Sequence, residues 1–287
     1  MAALSIATSI ATLALKFGAY FLTGSVGLLS DALEALVNLA AGLVALAALT
    51  IAEQPADSRH SYGHDKAEYF ASGVEGTLIL FAAVSIMYAA GGRFRHPAAL
   101  ENLGAGVLVG LVAAAMNYAT ARIMLRAARE HDSVAIEADA RHLMTDVWTS
   151  AGVLGGLLAI ILMPQWQIID PLIALAVGLH IIATGVALLR RSVDGLMDLA
   201  LSPEEIGRVE ELIRAGLPPG ASFHALRTRK AGARRFIEFH LLLPGDTSVA
   251  ESHALCDRIE DSIAARLANA SITIHVEPRE AHRGVRS

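Results

Sequence analysis

Glu34-Ala35-Leu36-Val37-Asn38 and His142-Leu143-Met144-Thr145-Asp146 each set two metal-ligand side chains four residues apart, in stretches otherwise apolar enough for a lipid bilayer. On a helix, residues i and i+4 project from one face, about 6 Å apart between Cβ atoms. Two such pairs on facing helices offer four converging donors: a carboxylate, an amide oxygen, an imidazole and a second carboxylate. Ionisable groups at membrane depth cost roughly 2.5–3.5 kcal/mol each on insertion scales and mark transport pathways. Three oxygens and one nitrogen suit Zn²⁺ or another divalent first-row metal, and the donor set does not choose between them. Hydrogen bonding between packed helices is the competing role, and it weighs more for Asn38 than for His142 and Asp146. Asp31, one turn before Glu34, is expected to brace the turn, and Lys16 to snorkel or to pair with an acid.

A second set of donors is Asp57, His60 and His64, where a carboxylate and two imidazoles within eight residues can wrap one Zn²⁺. Uncommitted loop histidines are the ordinary alternative. A third set is spread over the last third of the chain: His224, His240, His253 and His275, with Glu277 two residues beyond His275. In a strand, His275 and Glu277 share a face.

The elements that must position these groups are first of all membrane spans. The chain has 287 residues, 54% hydrophobic and 18% charged, with mean hydropathy +0.49. That is too apolar for a soluble protein and fits a polytopic membrane protein with a water-exposed part. The net charge of −5 does not suggest a nucleic-acid partner. The single cysteine, Cys256, excludes an internal disulfide and a cysteine-based zinc cluster, and reads as a small buried hydrophobe. Apolar runs long enough to cross the hydrocarbon core fall near 3–22, 27–52, 69–91, 101–127, 138–162 and 169–190. The first has no basic flank or small-residue cleavage site, so it is expected to be a membrane helix and not a signal peptide; its abrupt start is what a chain lacking a short cytosolic leader would show. Thr23-Gly24-Ser25 and Pro164-Gln165-Trp166-Gln167 read as turns, and Asp170-Pro171 as an N-cap with proline at the first helical position. Arginine and lysine favour one face (Arg59, Lys66, Arg122, Arg126, Arg129, Arg141, Arg190, Arg191) over the other (Arg93, Arg95), which places both termini in the cytoplasm.

After Ser192 the composition changes. Ser202-Pro203-Glu204-Glu205 signals a capped helix, expected to run to Ala215. Strands are expected over Phe223–Thr228 and Arg235–Leu243 with a turn around Ala231-Gly232, then an amphipathic helix over 248–267 and a strand over Ser271–Glu277. The whole is an α-helical polytopic membrane protein of six transmembrane helices (1–192), a linker (193–201) and a small cytosolic α/β domain of order αββαβ (202–280), followed by a loose tail (281–287).

Thr23-Gly24-Ser25-Val26 with Glu34 and Asn38, Asp57-x-x-His60-x-x-x-His64-x-Lys66-Ala67-Glu68, and His142-x-x-x-Asp146 resemble the cation diffusion facilitator family. His224-Ala-Leu-Arg-Thr-Arg, Ile237-Glu-Phe-His240 and Ile274-His275 continue the match and are similar to its bacterial zinc/ferrous-iron efflux branch. The resemblance covers nearly the whole chain, in order. It implies a homodimeric divalent-metal/proton antiporter of the bacterial inner membrane, with a metallochaperone-like cytosolic domain. Position by position, it implies a transport site of Glu34, Asn38, His142 and Asp146, and a loop site of Asp57, His60 and His64. It further implies cytosolic sites of His224, His240, His253, His275 and Glu277, with Lys66 and Asp198 as a charge interlock. The cargo it implies is Zn²⁺ first, with Fe²⁺, Cd²⁺ or Mn²⁺ as alternatives, and Zn²⁺ bound between soluble domains would tighten the dimer. The chain departs from the family at Asn38, where an aspartate is usual: a neutral amide is a weaker ligand and carries no proton. A membrane metalloenzyme would need a His-Glu-x-x-His helix or dense histidine boxes, which are missing. A membrane sensor or scaffold that binds metal without transporting it is the alternative that Asn38 keeps open.

Overall fold

The computed structural model describes residues 2–96, 99–130 and 134–280. The tail expected over 281–287 lies outside them. Six long helices come first: α1 (Ala2–Thr23), α2 (Val26–Ala52), α3 (Ala67–Arg95), α4 (Leu103–Glu130), α5 (Val134–Leu162) and, after a short 3₁₀ turn at Pro164–Trp166, α6 (Ile169–Leu196). All six are long and apolar enough to cross a membrane. Then come α7 (Pro203–Gly216), β1 (Ser222–Ala231), β2 (Arg234–Leu243), α8 (Val249–Ala264) and β3 (Ala270–Pro278), the expected αββαβ order. Several long helices outrun the apolar runs that announce them. α3, with 29 residues, is about 44 Å long at 1.5 Å per residue, more than the roughly 30 Å hydrocarbon core requires.

Packing divides the described residues into two units: those up to 46 with 71–189, and 47–70 with those from 190 onward. In the first unit, Ala19, Leu28, Val107, Val153, Leu154 and Leu157 make one buried cluster from α1, α2, α4 and α5. Val37, Ile79, Ala82, Ile86 and Ile181 make another from α2, α3 and α6. α3 and α6 meet backbone to backbone: a Cβ on Gly76 would stand 3.0 Å from the Gly185 carbonyl oxygen, and one on Gly185 would stand 2.9 Å from Ile79. Between membrane helices, where lipid is as apolar as leucine, this close approach of small residues is the main source of packing energy.

Asp170 departs from expectation. It is not the N-cap of α6, which begins one residue earlier at Ile169. Its carboxylate instead accepts from the Ser25 hydroxyl, from the Val26 N–H at 2.9 Å and from the Gly27 N–H at 3.1 Å. Thus an α6 side chain caps α2. The first N–H groups of a helix lack intrahelical partners, and a carboxylate there also meets the positive end of the helix dipole. Neighbouring sequence could not show this, because the capped groups lie more than a hundred positions away. Asp170→Ala is expected to cost about 1–3 kcal/mol by orphaning buried donors. Thermal unfolding of the purified protein in detergent tests this, and an unchanged midpoint would refute it.

The second unit has a core of its own. The three strands lie in the order β1-β2-β3, with β1–β2 antiparallel and β2–β3 parallel. Ile237, Phe239, Leu241 and Leu243, alternate residues of β2, pack with Val209 and Ile213 of α7 and with Leu255, Cys256, Ile259 and Ile263 of α8. Cys256 is the buried hydrophobe expected of it, and burial pushes its thiol pKa up. Ser202 and Glu205 form the expected capping box on α7. Ser248 and Glu251 form a second on α8, where the same Ser-x-x-Glu spacing went unread. Since β2 turns its odd residues to the helices, its even residues, His240 among them, face the other side.

Candidate metal centres

α2 carries Glu34 and Asn38 on one face and α5 carries His142 and Asp146, and all four line one cavity of about 320 Å³ in the first unit. The Asn38 side-chain N–H group donates to Asp146 Oδ1 at 3.4 Å, leaving the amide oxygen of Asn38 for another partner. Glu34 Oε2 is buried with no hydrogen-bond partner among the described residues. A carboxylate oxygen buried without a donor is costly unless a cation or a proton completes it. The donor set and that orphaned oxygen together fit a divalent cation as cargo. Asp31 does not brace its own turn but reaches two other helices: it takes the Lys16 ammonium of α1 at 2.8 Å, the acid pairing open to that lysine, and the Ser150 hydroxyl of α5 at 2.9 and 3.1 Å. Both charges of that pair are almost wholly buried, so they answer each other and leave the cavity to Glu34 and Asp146.

The same cavity is lined by two further ionisable residues that sequence reading passed over, Glu75 of α3 and His180 of α6. Each stands alone in its apolar span, without a second ligand at i+4 to draw the eye. Their rarity at membrane depth was the available signal.

The loop group assembles within the second unit. One ligand atom from each of Asp57, His60 and His64 lies within 4.8 Å of the other two. His60 Nδ1 is 3.3 Å from Asp57 Oδ1 and 3.1 Å from His64 Nε2. Asp57 Oδ1 also accepts from the backbone N–H groups of His60 and Arg59 at 2.6 and 2.8 Å, and these bonds hold its carboxyl below the usual carboxylate range. His64 Nδ1 is buried without a hydrogen-bond partner among the described residues, while Nε2 of the same ring faces His60 and Asp57. The residues that follow are tied to the sheet: Asp65 pairs with Arg234 at 3.0 Å and Lys66 with Asp198 at 2.9 Å, and Arg229 reaches Asp198 at 3.2 Å. Arg229 also lies over the Phe236 ring at 4.1 Å from its centre and over Tyr62 at 5.2 Å. Gly232 belongs to this seam: it has φ +55°, and a Cβ there would stand 2.9 Å from the Asp65 carbonyl oxygen.

On the sheet, His224 pairs with His240 across β1–β2, and His240 with His275 across β2–β3, so the three imidazoles run in a row over one face. Glu277 joins them from β3. Its carboxylate is 3.2 Å from His224 Nε2, 2.9 Å from His240 Nδ1 and 3.5 Å from His275 Nε2. His224, then the other two histidines, hold its carboxyl below the usual range, so it is anionic at neutral pH. His240 Nδ1 approaches Glu277 without the alignment of a hydrogen bond. Two donors so close and misaligned suit a shared cation between them. His224, His240 and Glu277 form a compact three-donor group within 4.8 Å. His253 stands outside it: it is 77% exposed on α8, 3.6 Å from Asp257 of the same helix. It lines a cleft of about 610 Å³ that Glu277 also lines.

Residues 2–197 match the family model described as the cation efflux transmembrane domain, and residues 201–279 match that of the cation efflux protein cytoplasmic domain. An uncharacterized transporter, sll1263, of Synechocystis sp. is 47% identical over 279 residues, 97% of this chain and 90% of that protein. The cation-efflux pump FieF of Shewanella oneidensis is 32% identical over 275 residues, 96% of this chain and 92% of the pump. Among solved structures, the metal-bound C-terminal domain of the CzcD transporter from Thermotoga maritima is 30% identical and covers 27% of this chain and 94% of its own, with a TM-score of 0.24.

Proposed function

Because the chain belongs to the cation diffusion facilitator family and is a cation efflux transporter, we propose that it exports a divalent metal from the cytoplasm by proton antiport. Zn²⁺ is the first candidate, with Fe²⁺, Cd²⁺ and Mn²⁺ behind it. The observation that supports this reading is the intramembrane cavity, which Glu34, Asn38, His142 and Asp146 all line and into whose site Glu34 brings a buried carboxylate oxygen without a hydrogen-bond partner among the described residues. The metal enters with Glu34 and Asp146 ionised and His142 neutral, since ligands must shed protons to bind. When the cavity opens to the outside, protons displace the metal and return inward with the protein. The membrane is the bacterial inner membrane, with both termini in the cytoplasm. The working unit is a homodimer with alternating access. In support, His253 is exposed and lies outside the three-donor group of its own chain, where a second copy can meet it, and zinc shared between cytosolic domains would favour a transport-competent state. The loop group of Asp57, His60 and His64 would bind a further ion.

Uptake into sealed proteoliposomes under an imposed pH gradient tests this, with Zn²⁺, Fe²⁺, Cd²⁺ and Mn²⁺ compared and proton flux followed in parallel. Gradient-driven flux of one ion with counter-moving protons is the expected result. One other reading has an observation in its favour. Asn38 lowers the charge of the membrane site while the donor groups of the second unit are well formed, which is the pattern of a metal sensor that does not transport. Absence of flux for every ion, with metal still bound by the second unit, would establish that reading instead.

A further inference from the structure

The intramembrane cavity holds one more carboxylate than the transport quartet accounts for. α3 turns Glu75, Ile79 and Ala82 toward it, a stripe at i, i+4 and i+7. The rotation of α3 that sets this stripe is locked next door, where Gly76 is pressed against the Gly185 backbone of α6 and against Leu189.

The ends of the cavity can be told apart. Gly76 lies against Gly185 and Leu189, while Gly178 lies against Met87, so α3 and α6 are antiparallel. Gly27 lies against Val153 while Asn38 reaches Asp146, so α2 and α5 are antiparallel as well. Successive spans also alternate in direction. Along each helix the lining residues therefore order in one sense: Asn38 lies beyond Glu34, His142 beyond Asp146 and Glu75 beyond Ile79 toward the same end, with Asp146 still in contact with Asn38. Glu75 lines the same cavity as the quartet and begins the α3 stripe that faces it. At the Asn38 end α2 contributes only a neutral amide, and Asp146 is the one quartet carboxylate in contact with it. Glu34 lies one turn further toward the other end.

We propose that Glu75 is a fifth cation-binding residue of the intramembrane site, supplying at the Asn38 end the negative charge that asparagine lacks. This rests on the reading of the quartet as the transport site, and it adds a residue to that site which has no ligand-spaced neighbour in the sequence. The charge is displaced from α2 to α3, so the cavity keeps three carboxylates although α2 contributes only one of them.

The test compares the full-length wild type with Glu75→Gln, Asn38→Asp and the double variant. Zn²⁺ uptake is measured over a range of zinc concentrations in proteoliposomes. Zn²⁺ binding is measured by equilibrium dialysis in a background where His60, His64, His224 and His240 are alanine, so that the membrane site is read alone. Glu75→Gln should weaken binding and raise KM roughly tenfold or more, as loss of a group supporting a metal site does. Asn38→Asp added to it should restore both to within about threefold of wild type, since the charge returns to the same end of the cavity. A residue that merely held α3 and α6 together would not be rescued from α2. Wild-type values in Glu75→Gln, or a folded double variant as weak as the single one, would overturn the proposal. If the wild type moved no metal at all, the antiport reading would fall, and the dialysis comparison would still decide the role of Glu75.

Discussion

Asp146→Ala should reduce metal flux by more than about a hundredfold while leaving the protein folded, and Asp31→Asn should do the reverse, unsettling the fold before it touches the chemistry. The two acids lie in one bundle and differ in what answers their charge. Asp146 lines the cavity, and its hydrogen bond from Asn38 is long, at 3.4 Å. Deleting it removes the acid that the proposed metal site depends on and one weak contact. Losing even a group that supports a metal ligand costs 10–100-fold in affinity as a rule, so losing a charged ligand sets about a hundredfold as a floor. Asp146→Asn, which keeps size and can still accept a hydrogen bond, should be nearly as inactive, separating charge from packing. Asp31 instead takes Lys16 and Ser150, with both charges buried. Removing its charge strands a buried ammonium, a change worth about 3–5 kcal/mol of stability. Flux in proteoliposomes and the thermal midpoint in detergent are the two readouts. Near-normal flux in Asp146→Ala would remove this residue from the site, and an unaltered midpoint in Asp31→Asn would show that Lys16 has another partner.

The contrast between those two acids bears on how far the sequence can be read. That Glu34/Asn38 and His142/Asp146 face one cavity was legible because both members of each pair sit on one helix at the helical period, so the spacing alone puts them on one face. Asp31, expected to brace its own turn, instead takes Lys16 of α1 and Ser150 of α5, and from the sequence Lys16 could be read only as snorkelling or pairing with some acid. Asp170 was misplaced because proline at the next position imitates a local cap, whereas the groups it caps belong to α2. Glu75 and His180 were passed over for a related reason. Each is a single residue in an apolar run, and what gathers them is the meeting of four helices, which no local window contains. In the soluble unit the strands were found from their alternation, and His275 with Glu277 from their shared face. The register that brings His224, His240 and His275 into one row is a property of the assembled sheet. Spacing thus reveals sites built on one element and conceals those shared among several.

The row of imidazoles leads to a second large effect. Zn²⁺ should raise the thermal midpoint of the segment 201–280, which carries its own core, by roughly 10–20 °C, and His240→Ala should abolish the rise. A ligand that binds only the folded state at about a hundred times its dissociation constant adds about 2.7 kcal/mol, and each kcal/mol moves the midpoint of a domain of this size by about 4–8 °C. His240 is the residue to remove because it is the centre of the row, with the His224 and His275 rings each 4.9 Å away and Glu277 at 2.9 Å. It faces away from the helix-packed side of β2, so without metal the variant should melt close to the wild type. Glu277 has its carboxyl held low by the histidines and stays ionised through neutral pH, while the imidazoles must be neutral to bind. The zinc-induced rise should therefore shrink as the solution is acidified, and recover when it is returned to neutrality. His253→Ala provides the internal contrast. In a single chain it lies outside the three-donor group, so it should leave the first zinc-binding step in place and weaken only the association of two copies, seen by sedimentation with and without zinc. A rise that survives in His240→Ala would mean that zinc acts elsewhere on this unit, and no rise in the wild type would leave the row as a hydrogen-bonded patch on a sheet.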